Sequence, residues 1–304
     1  MSRPTSAAPA GSPTAAVQDR ARTAPTAHSP YERHGPPRAT PVDGGRPPRA
    51  PVHATVEATA EKVLRSFNTW SFKREQPENP HLLLQVVTTA VAYAEPLRFV
   101  LYWGKGPRCA AAGEDIECLD FIGSMVTRVR QAHVAGAAVT LILTDTHARH
   151  NGHAEESIDS YFAAITAEAT RRGFQTCRLS TLVAAAPEAH DVDTTAPVPD
   201  DVLESLAASA GKWYRGEGSA LDGARAYYAM NMVEKRAVEI AFPGAVFVTF
   251  NGSKLRSLFP TRMPVFYMYS LRRGFAVKPW FLPADAEPCG PDDCRCRPAE
   301  TLPD

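Results

Sequence analysis

The stretch AAVTLILTDTHARHNGH, Ala137 to His153, decides the fold. Its first half, Ala137 to Leu143, is a short, unbroken apolar run stopped upstream by Gly136. It does not alternate polar with apolar residues and is too short for a typical helix, so it reads as a strand buried on both faces, as in a parallel sheet. Its second half, Thr144 to His153, packs an aspartate, three histidines and an asparagine into ten residues. A mere connection does not need that density of titratable groups.

Working outward, Leu97 to Trp103 (LRFVLYW) is a second run of this kind, bounded by Pro96 and Gly104. Between the two runs, Cys118 to His133 carries Leu119, Ile122, Met125, Val126 and Val129 at helical spacing. After the histidine-rich loop, Glu155 to Arg172 repeats the helical pattern with Ile158, Phe162, Ile165 and Ala169, and Gly173 stands at the C′ position. Phe174 to Leu182 is predicted as a third strand. Strand, helix, strand, helix, strand predicts a Rossmann-like α/β domain with a mostly parallel sheet flanked by helices.

Upstream, Val56 to Phe72 predicts an amphipathic helix, and His81 to Ala94 is an apolar segment whose period does not separate helix from strand. Downstream, Ala184 to Pro199 reads as a linker, followed by helices over Asp200 to Tyr214 and Leu221 to Ala241. Strands are predicted over Ala245 to Phe250 and Met263 to Tyr269. The polar residues Arg225, Asn231, Glu234, Lys235 and Arg236 read as the wet face of their helix.

Residues 1–52 are rich in Pro, Ala, Arg, Ser and Thr, without apolar periodicity, and are expected to be a disordered tail. The catalytic domain is expected over 53–283 and a loose tail rich in Pro and Cys over 284–304. Lys plus Arg equals Asp plus Glu at 33 each, so no global field draws the 304-residue chain to nucleic acid or an anionic membrane. The longest apolar stretch, Leu82 to Ala94, is broken by Gln85 and two threonines and falls short of a bilayer span. Without an N-terminal apolar stretch the expected location is cytoplasmic. Cys109, Cys118 and Cys177 are scattered and Cys289, Cys294 and Cys296 cluster in the tail; they read as free thiols, not as a disulfide framework.

In parallel sheets, ligands bind outside the carboxyl ends of the strands. Three segments qualify. Trp103-Gly104-Lys105-Gly106-Pro107-Arg108 offers two glycines for close approach, with Lys105 and Arg108 as cations for a phosphate or carboxylate. Thr144 to His153 offers Asp145 and His147 as a proton-transfer pair, with Asn151 beside them, because imidazole titrates near neutrality. Asn251 to Arg256 offers Ser253, Lys254 and Arg256 as further anion-binding groups. Two other readings stay open: a metal centre on His147, His150 and His153 with Asp145 as a fourth ligand, and a non-catalytic protein whose loops hold a small anion.

The order of features resembles the isocyanide (isonitrile) synthases of the pyoverdine/dityrosine biosynthesis family, from about Val56 to Trp280. The resemblance rests on a strand with an aromatic-and-lysine loop (Tyr102 to Arg108) and an acid early in the next helix, taken as Asp120. It rests also on a strand ending in an aspartate loop (Thr140 to His147), an early tyrosine in the following helix (Tyr161), and Phe242-Pro243-Gly244-Ala245 leading to Thr249. It departs where Gly-Pro-Arg follows Lys105 and where Thr146 and His147 follow Asp145. The resemblance implies specialised metabolism and no cofactor: the amine of an amino acid joins the carbonyl of ribulose 5-phosphate, and the sugar fragments to leave an isocyanide. Small-molecule substrates, an amino acid and a sugar phosphate, are the implied partners.

Overall fold

A computed structural model describes residues 52–104, 111 and 113–268, together with the backbone of 271–272 and 275–276. The elements, in order, are α1 (Val52–Phe67), α2 (Pro80–Ala92), β1 (Leu97–Trp103), α3 (Gly113–Ala132), β2 (Ala137–Leu143), α4 (Asp145–His150), α5 (Glu155–Arg171) and β3 (Gln175–Arg178). They continue as α6 (Leu179–Ala185), α7 (Asp200–Trp213), α8 (Ala220–Ala241), β4 (Val246–Thr249), β5 (Val265–Tyr267) and a two-residue hairpin, β6 (Leu271–Arg272) and β7 (Phe275–Ala276). Strands β1 to β5 form one parallel sheet in the order β3-β2-β1-β4-β5. This is the single-domain, helix-flanked parallel sheet that the sequence predicts.

Alternate strand residues feed two separate cores, as the period of two requires. Phe99, Leu101 and Trp103 of β1, with Leu141 and Leu143 of β2, pack under α1, α2, α3 and α5. Val100 of β1, Ile142 of β2 and Phe247 of β4 pack instead under α6, α7 and α8. Both faces of the central strands are thereby dry, which is why their sequences read as continuous apolar runs.

Helix ends follow local chemistry. Asn79 caps α2 by accepting from the Leu82 amide at 3.0 Å, with Pro80 at the first helical position. Ser219 and Asp222 form a capping box at the start of α8. Among the described residues no helix is long and apolar enough to cross a membrane.

Four sequence expectations are corrected. The first helix begins earlier and ends at Phe67; Phe72 is buried from an irregular turn, not from a helix face. The segment from His81 to Ala94, open between helix and strand in the sequence, is not one of the four; it is helical over Pro80–Ala92. The third strand stops at Arg178 because Leu179 and Leu182, which prolong its apolar run, belong to α6. The segment after β2 is a short helix, α4, before it is a loop, and the expected linker begins inside α6 and holds a 3-10 turn over Pro187–Asp191.

Chain order places the topological switch between β1 and β4. From β1 the chain builds outward through β2 and β3, then returns to the other side of β1 with β4 and β5. A crevice therefore opens at the carboxyl ends of β1 and β4. Gly104 begins the turn there with φ +87°, and a β-carbon on it would stand 2.8 Å from the Phe162 ring. Gly104→Ala is expected to cost about 2 kcal/mol, roughly 4 to 8 °C in melting temperature, from backbone strain and overpacking. A thermal melt unchanged from the parent would contradict this packing.

Candidate functional site

The crevice is lined by Tyr102 of β1 and Gly104 just after it, Thr144 after β2, Thr249 at the end of β4 with Phe250 and Asn251 beyond it, and Tyr227 from α8. Phe247 and Phe259 also line it, and its cavity volume is about 20 Å³. Thr144 fixes the two central strand ends together: its amide donates to the Trp103 carbonyl at 2.9 Å, and its hydroxyl donates to the carbonyls of Trp103 and Gly104.

Behind the two tyrosines lies a buried acid–base pair. His147, fully buried, places Nε2 2.7 Å from Oε2 of Glu234, which is 1% exposed. The hydroxyl of Thr146 donates to the other carboxylate oxygen of Glu234. The imidazole packs edge-on against Tyr102 (ring centres 5.6 Å) and Tyr227 (4.9 Å), so the same phenols touch both the crevice and the pair. Burial, and then the Glu234 charge, push the Tyr102 phenol well above its ordinary pKa and keep it protonated; the same two causes act on Tyr227.

The carboxylate partner of His147 is thus Glu234 and not the adjacent Asp145. Asp145 points the other way: its oxygens accept from the amide of Ser180 at 3.0 Å and from the Ser180 hydroxyl, and Arg149 donates to it at 3.0 Å. Ser180 stands in the first turn of α6, whose N-cap is Arg178 and has no side-chain capping bond. The Asp145 carboxylate supplies that cap from another element, where a helix terminus favours an anion. Burial alone would raise its pKa, but the bonds from Ser180 and Arg149 hold it below the usual carboxylate range.

The other expected site residues are dispersed. His150 lies within hydrogen-bond distance of the Gly223 carbonyl (2.8 Å) and packs on Tyr214, and His153 is half-buried near Arg215; burial first lowers the pKa of both. Asn151 is the C-cap of α4 and its carbonyl accepts from the Arg215 amide. Among the described residues no three His, Cys, Asp or Glu side chains converge to hold a metal ion, so the His147, His150 and His153 triad of the metal reading is not assembled. Lys105 and Arg108 lie outside the described residues.

The late basic cluster is occupied with structure. Arg256 donates to Glu78 and to the carbonyls of Phe259 and Pro260, and the Ser253 amide donates to Glu75 at 3.0 Å. Lys254 is exposed. Asp120, taken from the resemblance as the acid that opens α3, pairs with Arg172 on the surface. The fully buried acid in the first turn of α3 is Asp115, which accepts from Tyr161, itself bonded to the indole of Trp103.

Sequence reasoning missed Glu234, Tyr102, Tyr227 and Asn231. The signal was present: Tyr227, Asn231, Glu234 and Val238 fall at i, i+4, i+7 and i+11, one stripe of α8. Glu234 and Asn231 face inward, each 1% exposed, and are not on the wet face expected for them. Because Asp145 is a cap whose folded-state pKa is depressed, its contribution is present at neutral pH and is lost as pH falls through that value. Asp145→Asn is therefore expected to cost about 2 kcal/mol at pH 7, with the gap to the parent narrowing below about pH 4. Chemical denaturation at several pH values reads this, and a pH-independent gap would contradict the assignment.

No protein-family model matches the chain, and no curated protein matches it. Among solved structures it is similar to the PvcA protein from Pseudomonas aeruginosa, with 14% identity over 73% of this chain and 87% of that one and a TM-score of 0.55. It also matches tyrosyl-tRNA synthetases, each complexed with L-tyrosine, from Archaeoglobus fulgidus and Pyrococcus horikoshii. These share 13% and 12% identity over 69% and 72% of this chain, and 63% and 58% of theirs, with TM-scores of 0.42 and 0.41. The PvcA likeness spans nearly all of that protein, and the two chains share one fold.

Proposed function

We propose that the protein is an isocyanide-synthase-like enzyme of specialised metabolism that condenses the amine of an amino acid with the carbonyl of ribulose 5-phosphate and then fragments the sugar. The observation that carries this reading is the buried His147–Glu234 pair beneath the crevice at the β1/β4 switch point. Carbonyl condensation requires repeated proton transfer at one place, and an imidazole oriented by a carboxylate serves as both acid and base. The fold shared with PvcA supports the same reading.

Roles divide by position. His147 moves the proton, and Glu234 orients the imidazole and offsets its charge when protonated. Aromatic Tyr102, Tyr227, Phe247 and Phe259 give the crevice an apolar lining suited to an apolar side chain. Lys105 and Arg108 follow Gly104, a wall of the crevice, and are assigned the phosphate and the carboxylate. Asp145 holds α6 in place and takes no part in the chemistry.

Purified protein incubated with aromatic amino acids and ribulose 5-phosphate is expected to yield the isocyanide mass. Calorimetric binding of either substrate without turnover would replace catalysis by a binding role. In the same assay His147→Ala and Glu234→Gln are each expected to lower turnover roughly a hundredfold or more, the usual scale for a positioned acid–base group. His150→Ala is expected to cost much less. Equal losses at His147 and His150 would refute this division of roles.

A further inference from the structure

Three buried polar atoms around the pair lack hydrogen-bond partners: Nδ1 of His147, Oδ1 of Asn231 and the hydroxyl of Tyr102. They belong to one neighbourhood. The Tyr102 ring packs on His147, and Asn231 sits on α8 one turn from Tyr227 on one side and from Glu234 on the other. Each unsatisfied buried group costs about 1–3 kcal/mol, and three together are not retained for stability.

Charge then selects what they receive. Glu234 is a buried carboxylate that, among the described residues, pairs ionically with His147 and accepts one other hydrogen bond, from the neutral hydroxyl of Thr146. Lys235, next in the chain, is turned away and donates to the Ser257 carbonyl at 2.6 Å. With Nε2–H donated to Glu234, Nδ1 of His147 is an acceptor, and so is Oδ1 of Asn231. A carboxylate or phosphate placed here would meet two acceptors and a second negative charge, against the single phenol donor of Tyr102. A primary ammonium would donate to both acceptors, lie against the phenol rings of Tyr102 and Tyr227, and offset the charge of Glu234.

We infer that His147 Nδ1 and Asn231 Oδ1 form a subsite for the primary amine of an aromatic or apolar molecule held in the crevice. This inference rests on the functional reading above and deepens it by giving the amine its place. The subsite also prepares the nucleophile: an N–H bond of the ammonium breaks, its proton passes to Nδ1, and the electron pair stays on nitrogen. Glu234 supports the imidazolium so formed. Asn231 is a binding residue for the amine and transfers no proton.

The test uses the full chain and three probes of nearly equal size without any sugar phosphate, so that it does not depend on isocyanide formation. 2-Phenylethylamine, 2-phenylethanol and 3-phenylpropionate are titrated calorimetrically at pH 7. The amine is expected to bind at least about tenfold more tightly than the alcohol, and the carboxylate most weakly, as a buried charge-assisted hydrogen bond requires. Asn231→Leu and Glu234→Gln are each expected to erase most of the preference for the amine over the alcohol. Because Asn231 Oδ1 has no partner to lose, Asn231→Leu is expected to melt no lower than the parent; a lower melt would mean that Asn231 is structural and would overturn its assignment. Equal affinity for amine and alcohol, stronger binding of the carboxylate, retention of the preference in Asn231→Leu, or no binding of any probe at 10 mM, roughly the weakest affinity worth a specific contact, would also overturn the subsite. Isocyanide formation without amine preference would sink the subsite alone, and amine preference without isocyanide formation would sink only the reaction.

Discussion

The bond between His147 and Glu234 joins two parts of the chain 87 residues apart, and the geometry of the crevice depends on it. His147 is held on α4, at the end of β2, while Glu234 sits mid-way along α8, the helix that covers the opposite core. With the hydroxyl of Thr146 on the same carboxylate, α4 and α8 are clamped from one face. A buried carboxylate with a single imidazole partner is weak evidence for stability, because desolvation offsets most of the attraction. Its place beneath a crevice at the switch point of a parallel sheet gives it a different significance.

Asp145 and His147, two residues apart, do opposite work because successive side chains at a helix start leave in different directions. Asp145 faces α6 and satisfies a helix terminus that its own N-cap leaves bare; His147 faces α8. The tight hydrogen bonds on Asp145 hold its proton affinity down, which suits a permanent anion and not a base. Proton transfer accordingly belongs to the imidazole whose second nitrogen is unengaged.

The fold was legible where burial is two-sided. β1 and β2 show their whole length as apolar runs, and their boundaries agree with the sequence reading residue for residue. β3 was overextended because an edge strand of one exposed and three half-buried residues is followed directly by the apolar face of α6. The site was half legible. The density of titratable groups after β2 located His147, but its partner lies on a helix whose polar residues were assigned to solvent from hydrophobic spacing alone. Hydrophobicity marks the side of a helix that faces a dry core; it is silent about a stripe that faces a buried polar group. Likewise Arg256 reads as a free cation in sequence, and only the fold brings Glu78 to it.

The central claim is that His147 and Glu234 act as one unit, and a double-mutant cycle in stability tests it most directly. His147→Ala, Glu234→Ala and the double variant of the full chain are unfolded chemically at pH 7. Each single variant leaves one buried polar group without its partner, whereas the double variant removes both, so the two losses are expected to overlap by about 1–3 kcal/mol. Losses that simply add would show that the two side chains do not interact, and the account of the site would fail with them.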